Sequence, residues 1–410
     1  MSASAARAVA DLEAACAALG EAPLDSGAID DHLRPLFSRV LHESGDRVYL
    51  ANHSLGRPLD AMAVDVQEGL AAWYTRLGDA WEDWEREMTA HRARLAALIG
   101  ASRRDAIIPK ASAGQGLRAV LNTYDTPVRV VATRGEFDSV DIVLREYARR
   151  GRIRLHLVDA DPEGRFHVDA IAAALGADAT LVVLSPIMFQ TGQCVADVPR
   201  LVAAAHAAGA KVMLDLYHVL GVVPCDVQAL GADFAIGGCY KYLRGGPGAC
   251  FLYVAPALLD AGLRSLDVGW FGKERAFAYE RPEPPRYAKG GDGWLESTPA
   301  VLPFYQARSG QRFTLGVGVP RLRAYSLAQQ RRLVGLLREA GVPAQGGDAA
   351  HGAFVTLRDR RAPAFVADLD AQGIVVDARG DWLRLCPDVL TTDAELARVA
   401  RALRTLWRDA

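Results

Sequence analysis

Between residues 128 and 254 the chain alternates between two hydrophobic periods, and this constrains its fold more than any other feature. Short, β-branched apolar runs stand at Val128–Ala132, Arg154–Asp159, Thr180–Ser185, Lys211–Leu216, Phe234–Gly237 and Ala249–Val254. Helical patterns at Asp138–Arg150, Asp169–Leu175 and Val198–Ala208 fill several of the gaps. A continuous apolar run has no face to give to water, so each strand must be covered on both sides. Strands of that kind separated by helices predict an α/β fold with a mainly parallel sheet.

The rest of the chain reads as a smaller α+β unit. From Arg281 to Pro303 the sequence turns to Pro, Gly and charge, the mark of a long loop and a border. Beyond it the patterns predict a helix over Pro320–Ala340, a strand over Ala353–Leu357 and a helix over Ala362–Gln372. Two strands (Ile374–Asp377 and Trp382–Leu385) and a final helix follow, the helix opened by the capping box of Thr392 and Glu395. The expected division is a large domain over 50–300, with 1–49 and 301–410 forming the small one and its N-terminal helical segment.

Composition removes several function classes. At 50% hydrophobic and 23% charged residues, the chain can fill a sizeable core and is not disordered. A net charge of −2 gives no general pull toward nucleic acid or anionic lipid. The Ala-rich start carries Asp and Glu, which suits an amphipathic helix rather than a signal peptide, and no apolar run reaches the roughly 20 residues of a membrane span. The 6 cysteines form no C-x-x-C pair, so scattered thiols of a reducing cytoplasm are expected and no metal site is.

The chemistry concentrates between Lys211 and Gly248. One strand ends in Asp215, a loop carries His218, and a second strand leads to Tyr240, Lys241 and a Gly-rich turn. A lysine in such apolar surroundings loses charge on burial, which frees its amine to form an imine. Asp215 at a strand's carboxyl end could hold a protonated ring nitrogen. Upstream, Gly114–Ala119 matches G-x-G-x-x-A, but the strand before it, Ala106–Ile108, is interrupted by Pro109 and Lys110. Ser112-Ala113-Gly114 is better read as a helix start whose free N–H groups bind one phosphate. No G-x-x-x-x-G-K-[ST] loop and no G-x-S-x-G elbow occurs.

Asp215-Leu216-Tyr217-His218, with Tyr240-Lys241-Tyr242-Leu243, resembles the active-site run of the kynureninase family, within the class V aminotransferase superfamily of fold type I pyridoxal-phosphate enzymes. Asn52–Gly56, Phe137 with Ser139, Ser185 before Phe189–Gln193, Gly269–Gly272, Ser297–Pro299 and Arg384 follow in the same order. The resemblance implies a large domain with a mainly parallel seven-stranded sheet, a smaller C-terminal α+β domain, and pyridoxal 5'-phosphate as cofactor. It implies Lys241, Asp215 and Tyr240 as catalytic residues. Ser112, Ala113, Phe137, Ser139, Ser185, His218, Trp270 and Thr298 would join them in binding the cofactor, Trp270 and Thr298 from the second subunit of a homodimer. Arg384, with Asn52 and Ser54, would bind an amino-acid substrate. The implied reaction is hydrolysis of kynurenine or a ring-substituted relative to an anthranilate and alanine.

Other readings stay open on the same residues: transamination, β-elimination at sulfur with Cys386 as the candidate nucleophile, or a non-catalytic homologue that binds without turnover. The chain also departs from the family. Asp79 stands where a substrate-pocket histidine is common, Val140 where the Phe-Pro-x-Asp element has its acid, and Gln190 where an aromatic is usual. These departures bear on the aromatic part of the substrate.

Overall fold

A computed structural model describes residues 3–176 and 178–408. Its strands are β1 (Val48–Tyr49), β2 (Ile107–Lys110), β3 (Val128–Thr133), β4 (Ile153–Val158), β5 (Ala179–Leu184), β6 (Lys211–Asp215), β7 (Phe234–Gly238), β8 (Cys250–Val254), β9 (Val355–Arg358), β10 (Ile374–Val375), β11 (Asp377–Arg379) and β12 (Trp382–Leu385). Seven form one sheet in the order β2-β8-β7-β6-β5-β3-β4. The run from β4 to β7 is parallel, and β8 and β2 complete the sheet as antiparallel pairs. Each of the six apolar runs is a strand; β5 to β8 are buried almost without interruption, whereas β4, at the sheet's edge, alternates with exposed positions and, against expectation, is not covered on both faces.

Two local expectations change. The segment read as a strand broken at Pro109 is the unbroken strand β2, with Pro109 opposite Phe251. As β2 is the sheet's edge, the N–H that proline lacks is one the sheet can spare there. The run Ile374–Asp377 is two strands rather than one. Ile374 and Val375 pair in parallel with Val48 and Tyr49, and Asp377 starts β11, which lies antiparallel to β12. The chain thus changes partners at Val376, and that change brings Asp377 opposite Arg384.

The helices Leu302–Val317 and Val319–Glu339 lead from the large sheet to the small one, with Gly318 between them at φ 91, a left-handed conformation that glycine adopts without strain. The small unit has its own apolar core, in which Val48 and Leu50 pack with Leu333, Leu357, Leu383 and Leu403. The Thr392–Glu395 box forms as read, with reciprocal bonds between the Thr392 and Glu395 backbone N–H groups and each other's side chains.

Candidate active site

The site gathers at the carboxyl ends of β3, β5, β6 and β7. Phe137 follows β3, Ser185 follows β5, Asp215 ends β6, and Tyr240 and Lys241 follow β7. From the other side comes the helix Ala113–Leu121, whose N-cap Ser112 accepts a bond from the Gln115 N–H through its hydroxyl. Together they line a cavity of about 160 Å³ with Ala113, Ser139 and His218. Nine of the expected cofactor residues therefore meet in one place. Tyr217, Phe189 and Cys250 line it too, though no sequence pattern marks them as lining residues.

Electrostatics follow from burial. Burial pulls the Lys241 ammonium well below its usual range; Asp215 opposes the shift and Arg384 adds to it. Its Nζ lies 2.6 Å from His218 Nε2. Burial and the nearby lysine keep His218 neutral, so Nε2 accepts from Lys241 and Nδ1 faces the Tyr242 hydroxyl at 3.3 Å. The rings of Phe137, Tyr217 and Tyr240 stand 5.7, 5.8 and 6.0 Å from Lys241 Nζ, an aromatic box around the amine. Burial also holds the Tyr240 phenol above its ordinary range, so it stays protonated.

Asp215 is buried, and burial lifts its carboxyl; the Tyr217 N–H, donating to Oδ1 at 2.9 Å, and Lys241 pull the other way. That N–H is its one hydrogen-bond donor among the described residues. A buried carboxylate so sparsely bonded is suited to a further cationic donor. With a lysine of depressed pKa, an aromatic face at Phe137 and a capped helix N-terminus, these groups match the ring nitrogen, aldehyde, ring and phosphate of pyridoxal phosphate.

The family model for class V aminotransferases matches residues 59–342. The chain belongs to the class V aminotransferases. Curated relatives include the kynureninases of Pseudomonas fluorescens, 29% identical over 85% of this chain and 86% of that protein, and of Deinococcus radiodurans, 29% identical over 84% of each. Among solved structures, a cystine C–S lyase complex superimposes with TM-score 0.79 at 17% identity, covering 89% of this chain and 99% of that one. A cysteine desulfurase from Thermococcus onnurineus does so with TM-score 0.78 at 17% identity, covering 92% and 98%. These neighbours carry the same fold, so the chain has the fold type I architecture of this class V family, and its cofactor is pyridoxal phosphate.

The remaining expected residues lie outside the cavity. Trp270 packs against Phe271 and Phe277, with its indole N–H donating to the Ala276 carbonyl at 2.8 Å. Thr298 is exposed. Asn52 donates to the Cys386 carbonyl at 2.9 Å, and Ser54 to Asp377 at 3.3 Å. Arg384, only 2% exposed, is bound to Asp377 and to the Phe189 carbonyl. The Asn52–Gly56 strap has a packing role as well. Gly56 N–H donates to the Tyr240 carbonyl, and a Cβ at Gly56 would collide with the Lys241 carbonyl.

The departures resolve individually. Asp79 sits exposed in the turn Leu77–Asp79, Val140 is core, and Gln190 donates to the Arg379 carbonyl at 3.2 Å. None of the three lines the cavity. An acid does stand directly before Phe137, at Glu136, with no sequence pattern to mark it. Glu136 is buried and bonded by the Thr133 and Ser185 hydroxyls, and burial pushes it up to about 7, with Asp215 adding to the rise.

Proposed function

We propose that this pyridoxal-phosphate enzyme hydrolyses the Cβ–Cγ bond of kynurenine or a ring-substituted kynurenine, giving an anthranilate and alanine. The observation that carries the reading is the likeness to curated kynureninases along most of the chain, with Lys241, His218 and Asp215 in one cavity. Bound pyridoxal phosphate supplies a sink for electrons released at Cα and Cβ. Lys241, whose charged form burial disfavours, takes the proton from Cα, and His218 holds its amine at 2.6 Å. Asp215 would hold the ring nitrogen in its protonated form. Tyr240, which stays protonated, would be the acid that serves Cβ after water has added to the γ-carbonyl and the bond has broken, and the proton that water gives up would restore the phenol. Phe137 would cover the ring face, and the Ser112 helix start would take the phosphate. Arg384 takes the α-carboxylate, for which a planar guanidinium offers two contacts.

The desulfurase alternative finds no support at Cys386. That thiol is 1% exposed and donates to the Ala353 carbonyl at 3.2 Å, and burial raises its pKa far above the thiolate range. In the same reading the enzyme is a symmetric homodimer, and Trp270 and Thr298, away from their own cavity, serve the partner's phosphate. Sedimentation of fully active enzyme as a monomer would contradict that arrangement. The substrate assignment is tested by incubating holoenzyme with kynurenine and with 3-hydroxykynurenine. Equal amounts of alanine and the matching anthranilate are expected from at least one. Conversion of neither would overturn it.

A further inference from the structure

Asp377 has no part in the reaction just derived, yet Arg384, His53 and Ser54 converge on it, with the Arg379 guanidinium 3.5 Å from Oδ2. β11 and β12 run antiparallel with Asp377 directly opposite Arg384, so the two side chains share a face of the small sheet. Arg384 Nε donates to Oδ1 at 2.7 Å, and its Nη2 donates to Oδ2. His53 Nε2 lies 2.7 Å from Oδ1, and the Ser54 hydroxyl donates to Oδ2 at 3.3 Å. His53 is fully buried, and burial, helped by Arg384, pushes it down to about 4. It is a neutral imidazole donating a hydrogen bond. Burial alone would raise Asp377, but the bonds from His53 and Arg384 hold it well below the usual carboxylate range.

A guanidinium has five N–H groups. Asp377 occupies two of those on Arg384 and the Phe189 carbonyl a third, leaving two with no partner among the described residues. The residue whose carbonyl Arg384 bonds, Phe189, lines the cofactor cavity. Asp377 could act in two opposite ways. As a competitor it would neutralise Arg384 and weaken its hold on an incoming carboxylate. As a support it would fix the guanidinium so that the ligand meets a pair of donors already in place. The bonds from His53 and Ser54 favour the support, because a competitor would have to break them to move aside.

We propose that Asp377 is a positioning residue that sets Arg384 for the substrate α-carboxylate, itself held by His53 and Ser54. The proposal rests on the reading of Arg384 as the carboxylate clamp.

The test uses holoenzyme and two amines, L-alanine and ethylamine, which differ in the carboxylate, with binding followed through the absorbance of the bound cofactor. Asp377→Asn should raise the Kd for L-alanine about tenfold to a hundredfold, the worth of one charge-assisted contact, and leave that for ethylamine unchanged. Weakening of both amines alike would mean a merely structural role, and tighter L-alanine binding would mean competition; either overturns the proposal. If Asp377→Asn does not fold, Asp377→Glu keeps the charge, displaces it, and should weaken L-alanine selectively. Arg384→Lys is measured beside them. If it leaves L-alanine binding intact, the clamp reading falls and the proposal with it. If it weakens L-alanine alone while the Asp377 variants do not, only the proposal falls.

Discussion

Lys241→Ala should abolish attachment of the cofactor to the protein and lower turnover by on the order of 10⁴–10⁶-fold, the range seen when a group that bonds covalently to the reacting system is removed. The chain has only five lysines, Lys110, Lys211, Lys241, Lys273 and Lys289, so borohydride fixation followed by peptide mapping gives an unambiguous address. Lys110 is the other buried one, and its ammonium is paired with Glu296 at 2.5 Å. Lys241 faces a neutral histidine instead, which leaves its amine free to react. In the wild-type protein the label should map to Lys241, and in the variant it should vanish. A label retained elsewhere would move the reactive amine.

Asp215→Asn should depress turnover by about 10²–10⁴-fold, whatever the substrate, and shift the absorbance of the bound cofactor. The estimate follows from breaking a buried charge pair, about 3–5 kcal/mol. Asparagine keeps the shape and an oxygen for the Tyr217 N–H but carries no charge for the ring nitrogen. Absorbance and turnover measured on the same preparation check both effects. An Asp215→Asn enzyme with wild-type rate and spectrum would remove Asp215 from the ring nitrogen.

The large sheet was legible because its central strands are covered on both faces, so β5 to β8 appear as unbroken apolar runs. That Lys241 and Asp215 meet at one cavity was legible for a related reason: a charged residue closing or following such a run has few structural uses. Asp377 was not. It closes the run Ile374–Asp377, and a strand end says nothing of what its side chain faces. Its place is set by pairing with β12, a long-range contact that no local period encodes. Glu136 was hidden in the same way, because Thr133-Arg134-Gly135-Glu136 looks like a surface loop until the Ser185 hydroxyl, distant in sequence, closes over the carboxyl. Pro109 misled in the opposite direction. Proline argues against a strand only where both edges are paired, and β2 has a free edge.

The central claim is that water cleaves a carbon–carbon bond at this site. It is tested most directly by turning over L-kynurenine in ¹⁸O-labelled water. The account predicts one labelled oxygen in the carboxylate of each anthranilate released, with one alanine formed beside it. Consumption of kynurenine that yields a 2-oxo acid, or anthranilate without the label, would contradict it.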